Sequence, residues 1–202
     1  AGGAGRATAR TPPPARTPWR SPTVTGIGGA PPAADRRLTT AELALFGLLG
    51  TMTFALKMAM AQLPNIEPVS LMVMLAAVCF GWRGLYAVYL YVFLEFAVWG
   101  IGLWNINYLY VWLVLFTAAR LLRRVESPLV WAALSGCFGL LFGALCALVY
   151  WVTGGWAFAV SWWVAGIPMD LFHGAGNFVV ALALFKPLRK ALAVFQRKYG
   201  SR

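Results

Sequence analysis

Charge is scarce in this 202-residue chain: 11% of its residues are Asp, Glu, Lys or Arg, against roughly 25% in soluble domains. That deficit, beside 60% hydrophobic residues, excludes an ordinary water-facing surface and points to lipid exposure. Cysteine is also scarce. Cys79, Cys137 and Cys146 lie in apolar runs without CxxC spacing, which speaks against a disulfide framework or a zinc site and leaves them as small packing residues. No GxxxxGK[ST] loop occurs, so the chain is not itself a P-loop ATPase. No cofactor is implied. What is plentiful is positive charge: 17 basic residues against six acids give +11. In a soluble protein such an excess suggests nucleic acid, but beside apolar segments its meaning depends on placement, and no nucleic-acid partner is expected here.

Residues 1–37 are rich in Gly, Pro and Arg and have little to bury, which predicts a disordered basic tail. Their Arg-rich, acid-poor composition also fits an organellar transit peptide. The apolar part, 38–192, predicts an all-α membrane domain, with a second basic tail at 193–202. A first span is expected over about Glu42–Gln62, stopped by Pro64 and Pro68. A short second span covers Val69–Phe80, and a third Leu85–Leu103. The fourth runs over Tyr108–Leu122. The fifth, Pro128–Trp151, breaks at Thr153-Gly154-Gly155. The Trp-rich stretch Trp156–Gly166 reads as interfacial, because indole rings favour the headgroup level. A sixth span then covers Pro168–Phe185.

Six spans with both termini cytoplasmic put every Lys and Arg except Lys57 on the inner side, as the positive-inside rule requires; five or seven spans spoil that segregation. The ionisable residues within the apolar part are Lys57, Glu67, Glu95, Asp170 and His173. An ionised group at the bilayer centre costs at least about 2.5 kcal/mol, so such groups normally face a cavity, a partner or the interface. Under this topology all five fall in the outer half. Asp170, His173 and Asn177 share one face of the sixth helix by their spacing. With Glu67, Glu95, Asn105, Asn107 and Tyr108 they form a candidate outer pocket for a small molecule, with Trp163 and Tyr108 stacking on the ligand. The local formal charge of about −2 favours a cationic or hydrogen-bond-rich ligand.

Blander explanations stand beside that one. Glu67, Asn105 and Asn107 are equally well solvated loop residues, Lys57 can snorkel or pair with Glu95 or Asp170, and Asp170 with His173 can be an internal polar pair tying helices together. Ser135 and His173 resemble the Ser/His pair of an intramembrane protease. Their expected depths differ by about 10 Å, however, and proton transfer needs hydrogen-bond reach. Asp170-x-x-His173 with Glu95 offers metal ligands, although two residues at i, i+3 are weak evidence. An intramembrane enzyme using Asp170 and His173, or a purely structural membrane protein, are thus the alternatives. Gly47, Thr51, Ala55 and Ala59 recur every fourth residue, a stripe that lets another helix approach closely. Gly136, Gly139 and Gly143 predict the same kind of packing in the fifth span.

The segments Leu63–Ser70, Trp104–Tyr110 and Gly166–Phe178 resemble the membrane-embedded substrate-binding (S) components of energy-coupling-factor transporters, over about residues 40–192. They single out no one substrate. The resemblance implies a six-helix protein of the bacterial plasma membrane that captures a vitamin-like micronutrient outside, with the first loop and later helices forming the pocket. It also implies docking onto a transmembrane coupling subunit that carries two cytoplasmic ATPases, the family's helix-one motif for this being AxxxA. Here Ala55–Ala59 matches that motif literally, with Gly47 and Thr51 extending it, and Lys57 inside the match departs from the family's pattern.

Overall fold

The computed structural model describes residues 2–3, 38–63 and 66–199, the last four by backbone alone. The chain divides into two units, Ala1–Arg37 and Leu38–Arg202. The tail expected over 1–37 lies almost wholly outside the described residues, as do Pro64, Asn65 and the last three residues of the expected C-terminal tail.

The second unit is helical, with no strand among its described residues. Its first helix, α1 (Thr40–Ala59), begins where Thr39 and Glu42 form a capping box: the Thr39 hydroxyl accepts from the Glu42 backbone N–H, and the Glu42 carboxylate accepts from the Thr39 N–H. Each supplies a partner to an amide that the helix leaves unpaired. One face of α1 packs on α3 (Leu85–Trp99). Gly50 permits this, because a Cβ there would lie 2.7 Å from the Ala87 carbonyl oxygen.

Between them in sequence, α2 (Val69–Phe80) is apolar around nearly its whole circumference and is buried on all sides, as a helix without a polar face must be. At 12 residues it is about 18 Å long, shorter than a bilayer core of roughly 30 Å. It sits centrally, packed by α5 (Val111–Leu121) and α6 (Pro128–Tyr199). Gly81 ends it at φ 63°, and a 3-10 turn (Gly81–Gly84) leads directly into α3. The asparagines expected in an outer loop belong instead to a short helix, α4 (Leu103–Asn107).

The long α6 is two helices. Gly155, at φ 81° and ψ 174°, breaks it in backbone space that only glycine enters cheaply, at the break the sequence predicts. Limb 128–154 and limb 156–199 run antiparallel: Trp131 stacks on Phe185 at 4.3 Å and Tyr150 on Trp162 at 4.2 Å. Gly139 and Gly174 let the backbones approach; a Cβ on Gly139 would lie 2.8 Å from the Gly174 Cα. The second limb starts about twelve residues before the expected Pro168, so the Trp-rich stretch Trp156–Gly166 is helical, and the helix continues past Phe185 into the expected tail. Read as a helix start, Pro168 misleads, since the helix runs through it.

Among the described residues, three stretches are long and apolar enough to cross a membrane: Thr40–Ala59, Val69–Trp99 and Pro128–Phe195. The second limb of α6 has the polarity of a membrane helix. Asp170, His173 and Asn177 are buried, while Ile167, Leu171, Phe172, Val179 and Leu182 are exposed. In water this arrangement would be inside out. The protein is membrane-embedded.

Candidate functional site

Lys57 lies in the last turn of α1. Its Nζ donates to Glu95 Oε2 on α3 at 3.0 Å and to the Tyr108 hydroxyl at 3.0 Å, and stands 3.9 Å from Glu67 Oε2. It also sits over the Tyr108 ring, 4.9 Å from the centroid. A lone ammonium on an apolar helix is costly unless paired; here two acids and a phenol surround it. Of the two partners the sequence suggests, Glu95 takes the role and Asp170 does not.

Asp170 uses a different anchor. Its Oδ1 accepts the backbone N–H of Gly143 at 3.1 Å across the hairpin of α6. Residue 143 must be glycine for this, because a Cβ there would collide with the carboxylate. One turn on, His173 meets the edge of Phe142 at 4.9 Å. Asp170 Oδ2 and His173 Nε2 are both buried and have no hydrogen-bond partner among the described residues.

These groups line one cavity of about 400 Å3, bordered by Lys57, Glu67, Tyr108, Gly143, Asp170 and His173 and walled by Trp104, Phe142 and Trp162. The rings touch: Trp104 lies 6.0 Å from both Phe142 and Trp162. A neighbouring cavity of about 400 Å3 shares Lys57, Glu67 and Trp104 and adds Glu95, Trp99 and Asn105. Lys57, Glu67 and Trp104 therefore border both, and Glu95 only the second.

No protein-family model, curated protein or solved structure matches this chain. Its site is read from its own geometry.

Six of the residues singled out from sequence line the paired cavities: Glu67, Glu95, Asn105, Tyr108, Asp170 and His173. Three do not. Asn107 is fully buried, accepting from the Tyr110 hydroxyl at 2.9 Å and donating to the Leu103 carbonyl. Asn177 donates to Ser70 Oγ at 2.9 Å, tying α6 to the central helix α2. Trp163 lines an apolar groove with Trp151 and Trp156 on the other side of the limb, and its neighbour Trp162 faces the cavity in its place. One helical residue shifts direction by about 100°, and among three tryptophans in eight residues the sequence does not say which faces in. Sequence reasoning missed Trp104, Phe142 and Trp162 as walls and left Lys57 outside the site. The signal for Lys57 was its isolation among apolar residues.

Neither Ser135 Oγ nor His173 Nε2 has a hydrogen-bond partner among the described residues, so the two do not bond one another. No group of three His, Cys, Asp or Glu side chains suited to a metal ion occurs among those residues. The cysteines are free, with Cys79 and Cys146 buried and Cys137 exposed.

At the opposite end of α1, Arg83 pairs with Glu42 at 2.5 Å. Nearby, Arg189 donates to the carbonyls of Val125 and Arg123, and Arg120 to that of Ala77. Glu42 and Lys57 are separated by about 22 Å of helix rise, so basic residues and cavity occupy opposite ends of the bundle. The stripe of α1 faces away from α3: Thr51, Ala55 and Ala59 are exposed, and a Cβ on Gly47 would meet no described atom within 4 Å.

Proposed function

We propose that the chain is the substrate-capture (S) subunit of an ATP-driven uptake transporter of the energy-coupling-factor type, with six spans in a bacterial plasma membrane. The observation that carries this reading is the convergence of Lys57, Glu67, Tyr108, Asp170 and His173 on one aromatic-walled cavity at the end remote from the basic residues. Basic ends face the cytoplasm, so on this reading both termini are cytoplasmic and the cavity opens toward the outer face. The six spans are α1, α2, α3, α5 and the two limbs of α6.

A capture subunit needs a pocket and a docking face. The pocket has the usual make-up of a small-molecule site, mostly apolar with a few convergent polar groups. The stripe of exposed Thr51, Ala55 and Ala59 with half-buried Gly47 supports docking of α1 on a transmembrane coupling subunit, because small residues let helix backbones approach within the bilayer. Two cytoplasmic ATPases bound to that subunit supply the energy. The substrate is a vitamin-like small molecule, and no covalent chemistry is involved.

Co-purification with a tagged chain from native membranes tests this. The expected result is a complex containing a coupling subunit and two ATPases, lost on Ala55→Leu with the isolated protein still folded. Recovery of the chain without ATPases, or an Ala55→Leu complex of full yield, overturns the assignment.

A further inference from the structure

Resting on the reading of the cavity as a capture site, we propose that its ligand is a planar monocation whose N–H donors reach Asp170 and whose ring stacks on the Trp104–Phe142–Trp162 wall. Charge is the first argument. The Lys57 ammonium is committed to Glu95 at 3.0 Å and shared with Glu67 at 3.9 Å, whereas Asp170 has no ion pair among the described residues. Its single bond is from the Gly143 amide. A carboxylate 7% exposed, in a membrane-embedded helix, is stable when a cation or a proton compensates it. A cationic ligand supplies that compensation and an anionic one adds repulsion.

Hydrogen-bond capacity is the second argument. Asp170 Oδ2 and His173 Nε2 lie one helical turn apart, both lacking partners among the described residues. A carboxylate oxygen is an acceptor only, and the imidazole Nε2 is a second acceptor in the tautomer that carries its proton on Nδ1. Two adjacent acceptors match a ligand edge bearing two N–H donors, as an amidine or an amino-substituted heteroaromatic ring does. The wall is the third argument. Trp104, Phe142 and Trp162 form a continuous aromatic surface, which favours a flat, cationic ring. The structure contains its own example, the Lys57 ammonium over Tyr108 at 4.9 Å. A volume of about 400 Å3 admits one or two such rings.

The test is tryptophan fluorescence titration of the full chain in detergent micelles with four probes of similar size. Benzamidine is a planar cation with N–H donors, phenyltrimethylammonium a cation without them, benzamide neutral, and benzoate anionic. Benzamidine is expected to bind at least about tenfold tighter than each of the others. Asp170→Asn should bring it within about threefold of benzamide. Gly143→Ala, whose Cβ would displace the carboxylate, should act in the same direction and serves if Asp170→Asn fails to fold. Benzoate binding as tightly as benzamidine, no benzamidine binding, or retention of the preference in the variants overturns the ligand class. Its failure is separable from that of the capture reading: a chain that still co-purifies with ATPases keeps the reading and loses only the cation.

Discussion

The ammonium of Lys57 and the carboxylate of Glu95 meet at 3.0 Å between α1 and α3, and Glu95 is only 2% exposed. Removing one partner leaves a charge buried beside lipid. Lys57→Met is expected to destabilise the protein by about 3–5 kcal/mol, the usual cost of stripping a buried charge of its partner. Adding Glu95→Gln should restore most of that loss, and thermal unfolding of the two single variants and the double variant in detergent gives the coupling. A Lys57→Met protein that melts with the wild type would remove the pair from the stabilising contacts.

The two limbs of α6 touch through glycine. A Cβ on Gly139 would sit 2.8 Å from the Gly174 backbone, so Gly139→Ala must push the limbs apart. The expected cost is about 1–3 kcal/mol, as for other overpacked interiors. Gly47→Ala meets no described atom within 4 Å and should be neutral or stabilising by about 0.5–1 kcal/mol through helix propensity. Equal melting temperatures for the two variants would contradict the close limb contact.

The order of helices was legible because proline and glycine punctuate it: the break falls at Gly155, and α2 ends at Gly81 as expected. The polar stripe of the second limb was legible from spacing alone, since Asp170, His173 and Asn177 do share the buried face. Their division of labour was not. Spacing places side chains on a face but does not say which neighbour each meets. Asn177 reaches Ser70 across 107 residues of chain, a contact set by how α2 threads the bundle. The cavity wall was hidden for the same reason, because Trp104, Phe142 and Trp162 come from α4 and both limbs of α6. The small-residue stripe left internal and external packing open, and the three-dimensional arrangement shows Thr51, Ala55 and Ala59 exposed.

Asn177 and Ser70 provide a control for the cavity. Asn177→Ala removes a buried hydrogen bond and leaves the Ser70 hydroxyl without its donor, at an expected cost of about 1–3 kcal/mol. The double variant with Ser70→Ala should recover part of it, since deleting both partners is milder than deleting one. Neither residue lines the cavity, so benzamidine affinity, read by fluorescence, should stay within about threefold of wild type. A tenfold loss would place Asn177 back among the ligand contacts.

Glu67, in the segment between α1 and α2, gives a pH dependence of definite sign. Burial raises its carboxyl above the ordinary value of 4.5, with the Lys57 ammonium pulling the other way and Glu95 adding to the rise. The folded state therefore binds this proton more tightly than the unfolded state. Its contribution to stability is complete below about 4.5 and is lost as pH rises through the raised folded value. Glu67→Gln mimics the protonated acid at every pH. The variant and the wild type should melt together near pH 4, and the variant should melt progressively higher as pH approaches about 8. The rest of the chain is the same in both proteins, so the difference between the two melting curves reports on Glu67. A gap that is widest at pH 4 and closes on the alkaline side would mean that the Lys57 contact outweighs burial, and that Glu67 is held as a carboxylate at the edge of the cavity.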